Sequence, residues 1–358
     1  MKILHVINSL GSGGAEKLVV DMCNYLSNEG HNVGLYTFIS DRNFFENILN
    51  KNVSYYKNSD EKYFSLKKII HLYKVIKQYD IVHVHLFPPF YIVAFLSFFL
   101  PSKRFIYTEH NTFNNRRKKV FKLIEKVVYS RYSKITCISE GVKKALEDWM
   151  PINKKTILIN NFVKIKEISR EETIDRTELG FLASDKIIAM VGSFRDTQKD
   201  QDTLIKSLRL LPSEYKLILI GEGILKEKKV NYVKEIGLRD RVIFLGGRKD
   251  VYSVLKTCDY GVLSSNWEGF GIVVLEYMAC GLPAIGTNVE GLNEVITEKE
   301  CLFEVGDVKR LADIILSMKD KVLKENIIRI QQERLRNYDI NVIMNNFIEM
   351  YKKKILTD

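Results

Sequence analysis

Short apolar runs alternate with amphipathic stretches along nearly the whole chain, and this alternation limits the possible folds more than any other feature. A strand buried on both faces reads as a short apolar run, whereas a helix lying on a sheet shows apolar residues at intervals of three and four. The stripe of Ala15, Leu18, Val19, Met22 and Leu26 is the clearest helical example. Such alternation predicts parallel sheets with helices on both faces.

The predicted strands form two series separated by one polar stretch. Residues Val163–Asp185 are charged and lack a regular apolar period, which is typical of a linker between domains. We therefore predict an α/β protein of two doubly wound, Rossmann-like domains facing a cleft, residues 1–165 and 166–337, and a helix in residues 338–358 that packs back on the first domain. The predicted strands are Lys2–Ile7, Val33–Phe38, Ile81–His85, Phe105–Tyr107, Ile135–Ile138 and Thr156–Ile159 in the first series, and Ile187–Val191, Lys216–Ile220, Val242–Leu245, Tyr260–Leu263 and Pro283–Gly286 in the second.

The composition is that of a soluble globular protein with a basic surface. Hydrophobic residues make up 46% and charged residues 28% of the 358 residues, which argues against a disordered chain. The net charge of +11 suits nucleic acid, an anionic membrane or phosphorylated small molecules as partners. Since no nucleic-acid-binding motif or aromatic platform accompanies the charge, we do not expect a nucleic-acid partner.

Three features favour a cytoplasmic protein. The five cysteines are odd in number and show no metal-ligand or redox spacing, so we expect reduced thiols. The N-terminal apolar run Ile3–Ile7 is too short for a signal peptide and lacks a cleavage site. The uncharged segment Phe87–Leu100 is shorter than a bilayer span, so we favour a buried helix, with a helix that dips into a membrane as the alternative.

A glycine-rich turn, Asn8–Glu16, follows the first predicted strand. Gly13 and Gly14 would let the backbone approach a ligand, and the helix that follows offers free N–H groups to an anion. The dinucleotide-binding fingerprint does not fit, because Glu16 occupies its third glycine position. An ordinary loop in which Glu16 complements the helix dipole is equally compatible with the pattern.

An acidic pair, Glu268 and Glu276, brackets a predicted helix start in the second domain. The backbone from Phe270 through Gly271 and Ile272 to Val273 would offer N–H groups to a diphosphate. A carboxylate is a good acceptor for a vicinal diol, and eight helical residues span roughly 12 Å, which suits one glutamate near a transferred sugar and the other near a ribose. The alternative is two solvated charges. The apolar neighbours of Glu276 argue against that, because a buried carboxylate needs a partner.

In these motifs the sequence resembles glycosyltransferase family 4, whose members have the GT-B fold. The resemblance covers nearly the whole chain, and the Glu268-x7-Glu276 pair is its most specific part. The motifs that carry it are Gly13-Gly14-Ala15-Glu16, Glu268-x7-Glu276, Gly221-Glu222-Gly223, Arg241–Gly246 and Pro283–Gly291.

The resemblance implies a retaining transfer of a sugar from a nucleotide-sugar, with UDP as the expected nucleotide, and without a bound metal or other cofactor. The expected acceptor is a glycan or a lipid-linked carrier of bacterial surface polysaccharide, at the inner face of the cytoplasmic membrane. Two other readings stay open. One is a non-catalytic subunit that binds sugar nucleotides within a glycan assembly complex. The other is a sugar-nucleotide epimerase of the same fold, which would need acids and bases that we cannot assign.

The same resemblance assigns further residues to the donor site. Lys199, and Arg195 in place of the family arginine whose position holds Ser193, would neutralise the leaving diphosphate. Gly221 would approach the donor, and His110 would lie near the donor sugar. A solvated loop for the two cations and a structural role for the histidine are the alternatives. His83 and His85 either line an acceptor cleft or fill the end of the sheet.

The segment Arg116–Lys126 combines basic residues with a helical apolar pattern. A basic amphipathic helix is typical of an element that binds an anionic membrane surface. We therefore expect peripheral membrane association through this segment. A solvated basic face above an ordinary core-facing stripe is the alternative.

Overall fold

The computed structural model describes residues 1–39, 43–58, 65–112 and 117–353. The chain divides into two compact units. The first comprises Met1–Asn161 together with the C-terminal segment that begins at Ile343, and the second comprises Phe162–Val342. Each unit has its own parallel sheet, so each is described separately.

The first unit is built on a seven-stranded sheet with the order β3-β2-β1-β4-β5-β6-β7. All of its strand pairs are parallel, so each connection has to cross over through a helix or a long loop. The strands are β1 (Lys2–Ile7), β2 (Asn32–Thr37), β3 (Ser54–Tyr56), β4 (Ile81–His85), β5 (Arg104–Glu109), β6 (Lys134–Cys137) and β7 (Thr156–Leu158), and the helices are α1 (Gly14–Asn28), α2 (Leu66–Ile76), α3 (Pro89–Ser97), α4 (Lys122–Ser130) and α5 (Glu140–Trp149).

The second unit is built on a six-stranded parallel sheet with the order β10-β9-β8-β11-β12-β13. Its strands are β8 (Lys186–Val191), β9 (Tyr215–Ile220), β10 (Val242–Gly246), β11 (Tyr260–Leu263), β12 (Ala284–Thr287) and β13 (Leu302–Phe303). Its helices are α6 (Ile165–Arg170), α7 (Gln201–Ser207), α8 (Lys226–Glu235), α9 (Val251–Thr257), α10 (Ile272–Ala279), α11 (Leu292–Val295), α12 (Val308–Ser317) and α13 (Lys321–Leu335). The last helix, α14 (Ile340–Lys352), begins in this unit and belongs to the first unit from Ile343 onward.

Each sheet has a switch point where the strand order reverses. In the first unit it lies between β1 and β4, and in the second between β8 and β11. Loops that follow the two neighbouring strands diverge at such a point and leave a crevice, which is where open α/β sheets bind ligands. In the second unit, these are the loops that carry Lys199 and Glu268.

The structure confirms the predicted α/β class with two parallel sheets. All eleven predicted strands are present, with ends shifted by two residues or fewer. The sequence reading missed β3 and β13, which lie at sheet edges and have three and two residues. The stretch read as a linker contains α6, where Ile168 is buried, and a short 3-10 turn at Arg176–Leu179.

The apolar segment Phe87–Leu100 contains α3, in which seven of the nine residues are buried. Phe90 and Leu96 lie in the interior, as expected for a buried helix, but Phe95, Phe98 and Phe99 are exposed. The prediction of a buried helix is therefore right for most of α3, whereas Phe95 and the two residues after the helix, Phe98 and Phe99, are exposed. Among the helices in the described part of the chain, none combines the length and the apolar character needed to cross a membrane.

Candidate functional site

The loops that follow β8 and β11 are joined by backbone hydrogen bonds. Lys199 and Ser265 form an isolated antiparallel bridge, and the Asn266 amide donates to the Gln198 carbonyl at 2.8 Å. The Asn266 side chain also donates to the Thr197 carbonyl at 2.6 Å. These contacts fix the two loops against each other at the switch point of the second sheet. The chemistry-bearing residues on the loops are therefore held in register.

Lys199 and Glu268 form an ion pair in this crevice. The Lys199 ammonium donates to Glu268 Oε1, and the side chains are 12% and 8% exposed. Ser265 Oγ donates to the same carboxylate oxygen at 3.0 Å, and the Ser265 amide donates to Thr287 Oγ1 at 3.0 Å. Two predicted site residues, 69 positions apart, are thus brought into direct contact. A charged pair this far removed from water is costly unless further partners satisfy it, and Ser265 supplies one.

Helix α10 begins beside this pair. Gly271 is its N-cap in the left-handed region, with φ 85°, and the helix starts at Ile272, one residue later than predicted. The first amides of a helix lack partners within it, so those of Ile272 and Val273 remain available to an anion. The Phe270 ring is buried against Tyr338, with ring centroids 5.6 Å apart. Only the backbone of Phe270 is therefore left to serve a ligand.

Gly271→Ala is expected to destabilise the second unit more than Gly281→Ala, although both residues have φ near 80°. A Cβ on Gly271 would lie 2.6 Å from Leu292 Cδ1, whereas nothing lies within 4 Å of one on Gly281, at the other end of α10. Backbone strain alone costs about 1–2 kcal/mol in each case, and the clash adds to it only at Gly271. Urea unfolding of both variants measures the difference. Equal losses of unfolding free energy would contradict the close packing of the helix start.

Glu276 lies in the second turn of α10 and is half-buried. It accepts a hydrogen bond from the Tyr252 hydroxyl at 2.9 Å. The expectation that this carboxylate needs a partner is therefore met by a residue on α9. Sequence reasoning missed Tyr252, because a single tyrosine 24 residues upstream carries no signal that it faces α10. Thr287 was missed for the same reason, and Ser265 was missed although it lies only three residues before Glu268.

Gly221 and Arg195 lie on the loops beside the switch point. Gly221 has φ 148°, and a Cβ there would lie 2.0 Å from the Gly192 carbonyl oxygen, so the loops after β8 and β9 touch through backbone. Arg195 is exposed, in contrast to the largely buried Lys199. The two predicted cations therefore differ in environment: Lys199 is largely buried in the crevice, and Arg195 is exposed.

In the first unit, the glycine-rich turn leads into α1 as expected. Gly13 is the N-cap with an extended backbone, φ −90°, and α1 begins at Gly14. The Glu16 carboxylate folds back over this helix start, since a Cβ on Gly13 would lie 2.1 Å from its Oε2. A carboxylate in the first turn of a helix complements the dipole. A ligand anion at this point would have to displace the Glu16 side chain.

His110 directly follows β5 and is held neutral. Burial of its imidazole lowers the pKa to about 4, and Nε2 has no partner among the described residues. Its ring centroid lies 5.8 Å from that of His85, which is buried in β4. A neutral imidazole near neutral pH has one donor and one acceptor nitrogen. His110 therefore has an unused nitrogen at the carboxyl edge of the first sheet.

His83 and His85 of β4 are buried in the first unit and contact each other and His5 of β1. His5 Nδ1 lies 3.1 Å from His85 Nε2, and His83 bonds the Tyr351 hydroxyl and Thr108 Oγ1, both at 2.6 Å. Burial lowers the pKa of all three imidazoles, that of His5 to about 3. The structure thus favours the packing role for His83 and His85 over a position at a solvent-lined surface.

Comparison with known families covers both halves of the chain. The model of the family described as Glycosyltransferase Family 4 matches residues 12–167, and that of the family described as Glycosyl transferases group 1 matches residues 171–338. The chain therefore belongs to glycosyltransferase family 4, and it is an enzyme of the hexosyltransferase type.

Two relatives show how this similarity is distributed. The N-acetyl-alpha-D-glucosaminyl L-malate synthase of Bacillus anthracis is 33% identical over 198 residues, which cover 54% of this chain and 52% of that protein. The UDP-Gal:alpha-D-GlcNAc-diphosphoundecaprenol alpha-1,3-galactosyltransferase of Escherichia coli is 24% identical over 370 residues, which cover 95% of this chain and 92% of that one. The first likeness is thus partial, and the second extends over nearly the full length.

A solved structure shares the fold. The crystal structure of Anabaena HepE in complex with UDP and glucose matches with a TM-score of 0.85 at 22% identity, covering 99% of this chain and all of that one. The fold class is therefore GT-B, with two α/β units on parallel sheets.

Proposed function

We propose that this enzyme is a retaining glycosyltransferase that moves a hexose from a UDP-sugar to a glycan or lipid-linked acceptor during synthesis of bacterial surface polysaccharide. The names of similar proteins support the substrate classes. The Escherichia coli relative is named for UDP-Gal and a diphosphoundecaprenol-linked acceptor, and HepE was crystallised with UDP and glucose.

The observation that carries the proposal is the Lys199–Glu268 pair beside the start of α10. We assign Lys199 to the leaving diphosphate, together with the free amides of Ile272 and Val273. Glu268 would accept hydrogen bonds from hydroxyls of the transferred sugar, and Glu276 from the ribose. Binding of the donor would turn the Lys199 ammonium toward the diphosphate, and the carboxylate would gain sugar hydroxyls as partners in exchange.

Arg195, Gly221 and His110 complete the proposed donor site. Arg195 is exposed on the loop after β8, so its guanidinium is able to reach a phosphate oxygen. Gly221 keeps the neighbouring loop close to the backbone of Gly192. His110, neutral and with an unused nitrogen, would bind a hydroxyl of the transferred sugar. Lys199 and Arg195 would supply the charge that neutralises the diphosphate, so the proposal requires no metal or other cofactor.

Retention is proposed through attack on the same face that the diphosphate leaves, with a departing phosphate oxygen taking the proton of the acceptor hydroxyl. Positioning and charge stabilisation would then supply the rate enhancement.

We assign residues 1–165 to the acceptor, residues 166–337 to the donor, and the helix in residues 338–358 to packing on the first domain. We also propose that the enzyme is cytoplasmic and works at the inner face of the membrane. Gly13 and Gly14 contribute to donor binding in this proposal once the Glu16 carboxylate moves aside.

Incubation with a panel of nucleotide-sugars and acceptor glycans tests the proposal. We expect thermal stabilisation by a UDP-sugar, release of UDP on transfer, and a product whose anomeric coupling in proton NMR matches that of the donor. Inversion of the anomeric centre would refute the retaining mechanism. Donor binding without UDP release would favour a non-catalytic subunit, and conversion of the donor to another sugar nucleotide would favour an epimerase.

A further inference from the structure

The last turn of α3 and the two residues that follow it expose aromatic side chains. Phe95, Phe98 and Phe99 are 58%, 53% and 60% exposed. The rings of Phe95 and Phe99 contact each other edge to face, with centroids 5.5 Å apart. Solvent exposure of three phenylalanines within five residues is unfavourable by the hydrophobic effect, unless another surface covers them.

Helix α4 and the turn before it expose aliphatic side chains. Val120, Leu123, Ile124 and Val127 are all more than half exposed, and Leu123 is 79% exposed. The buried face of α4 is formed instead by Glu125, Val128 and Tyr129. The alternative reading of this segment, with its apolar stripe packed on the core, is therefore wrong for most of the stripe.

The two helices pack side by side, so their outer faces adjoin. The Arg131 guanidinium lies over the Phe98 ring at 4.2 Å and donates to Ser97 Oγ at 2.9 Å. At the other end of the pair, the Tyr91 hydroxyl donates to the buried Glu125 carboxylate. Since the two helices are neighbours, we treat the exposed residues of α3, α4 and the turns beside them as one surface, called the α3–α4 surface below. It comprises Phe95, Phe98, Phe99, Val120, Leu123, Ile124 and Val127.

Only positive charges accompany this surface on the α4 side. Across residues 117–127, every exposed charged side chain is a lysine, and the one acid, Glu125, is buried. Arg117 is not part of the surface, because its guanidinium donates to the carbonyls of Thr112 at 2.7 Å and Ala145 at 3.1 Å. Arg116 lies outside the described residues. The exposed lysines are Lys118, Lys119, Lys122 and Lys126.

We infer that the α3–α4 surface inserts into an anionic lipid bilayer, with its phenylalanines and aliphatic residues among the acyl chains and its lysines among the headgroups. Apolar residues next to a cationic rim suit such an interface, because the two parts match the acyl and phosphate layers of a membrane. The inference rests on the proposed function only in that a lipid-linked acceptor would give the surface a purpose. It goes beyond electrostatic attraction of a basic segment, since hydrophobic contact would carry much of the binding.

Co-flotation with vesicles of phosphatidylglycerol and phosphatidylethanolamine tests the inference. We expect the protein to bind these vesicles, and Phe95→Ser/Phe99→Ser to weaken binding at least ten-fold. Leu182→Ser/Ile224→Ser is the matched control, since these apolar residues of the second unit are 68% and 86% exposed, and it should bind like the wild type. Unchanged binding of the phenylalanine variant would overturn insertion.

The contribution of the lysines and the insertion of position 95 into the acyl chains are tested separately. Lys119→Gln/Lys126→Gln should weaken binding to anionic vesicles, and equal wild-type binding to phosphatidylcholine vesicles would overturn the electrostatic part. A tryptophan at position 95, introduced as Phe95→Trp, should be quenched by brominated acyl chains, whereas Leu182→Trp should not. Absence of quenching at position 95 would overturn insertion.

Two further measurements distinguish membrane insertion from self-association of the chain, and failure of the membrane surface from failure of the proposed function. A wild-type dimer that becomes monomeric in Phe95→Ser/Phe99→Ser, without vesicle binding by either protein, would assign the surface to a second copy of the chain and overturn the inference. Sugar transfer to a water-soluble acceptor is measured in parallel. Transfer without vesicle binding would refute only the membrane surface, and vesicle binding without transfer to any acceptor would refute only the proposed function.

Discussion

Lys199→Met is expected to lower kcat for sugar transfer by about 100-fold or more, because it removes a cation that would stabilise charge on the leaving diphosphate, and loss of one such group typically costs 10²–10³ in rate. The same substitution leaves the Glu268 carboxylate, 8% exposed, without its ammonium partner. Removing one member of a buried pair costs about 3–5 kcal/mol of unfolding free energy. Steady-state kinetics and urea unfolding of the same preparation therefore have to be read together.

The double variant Lys199→Met/Glu268→Gln separates catalysis from folding. Since it leaves no unpaired charge, much of the lost stability should return, with Ser265 still donating to the amide oxygen of the glutamine. The rate should stay low, because neither charge is restored. If the double variant regained the wild-type rate, the pair would be a structural ion pair, and Lys199 and Glu268 would lose their assigned roles. Lys229→Met is the matched control, because Lys229 forms an ion pair with Asp202 at 2.7 Å in the same unit. This variant should leave kcat unchanged.

The first unit is expected to lose stability steeply as the pH falls from about 6.5 toward 4. The imidazoles of His5, His83, His85 and His110 have lowered pKa values because they are buried, whereas in the unfolded chain they titrate near 6.5. Between the folded and unfolded pKa values the unfolded chain binds more protons, so acid favours unfolding. With a folded pKa of about 3, His5 alone would cost about 3 kcal/mol at pH 4, at about 1.4 kcal/mol per pH unit.

Urea unfolding at several pH values measures this effect. In a Trp267→Phe background, Trp149 of α5 remains as a fluorescence probe in the first unit. His5→Leu should reduce the slope of unfolding free energy against pH by about one proton between pH 4.5 and 6. His71→Leu changes an exposed histidine outside the buried group and serves as the control. A slope that His5→Leu does not alter would show that His5 is protonated in the folded protein or stays neutral in the unfolded chain.

The sequence determined the fold class well, because burial on both faces of a parallel strand leaves a continuous apolar run. The runs at Ile187–Val191 and Tyr260–Leu263 are of this kind, and each is a strand. β3 and β13 were not predicted, because edge strands of two or three residues are too short to show a recognisable apolar run. The alternative reading of α4, with its apolar stripe packed on the core, was wrong for a physical reason: an amphipathic period shows that a helix has an apolar side, and here most of that side faces away from the core.

The candidate site was predictable where a motif fixes both residue type and position. Lys199 and Glu268 were chosen from motifs 69 positions apart, and the structure joins them, although their roles stay predictions. Tyr252 and Thr287 were not predictable, because each acts by contact with a residue far along the chain. Ser265 was missed although its contact with Glu268 is local. The alternative reading of Glu16, as a partner of its own helix start, agrees with the structure, and it could be made from the sequence because that interaction is local. Interactions within a turn of chain are visible in a sequence, and those between loops require the fold.

The helix α14 has a consequence for the order in which the protein matures on the ribosome. Every residue of the second unit has been synthesised once Val342 is made. At that point the first unit still lacks the segment from Ile343, and with it Tyr351, whose hydroxyl forms a hydrogen bond with His83. The N-terminal sheet, although made first, must therefore wait until the segment from Ile343 has been synthesised to obtain this packing partner. A nascent chain halted just before Ile343 would carry a mature second unit and an unfinished first one.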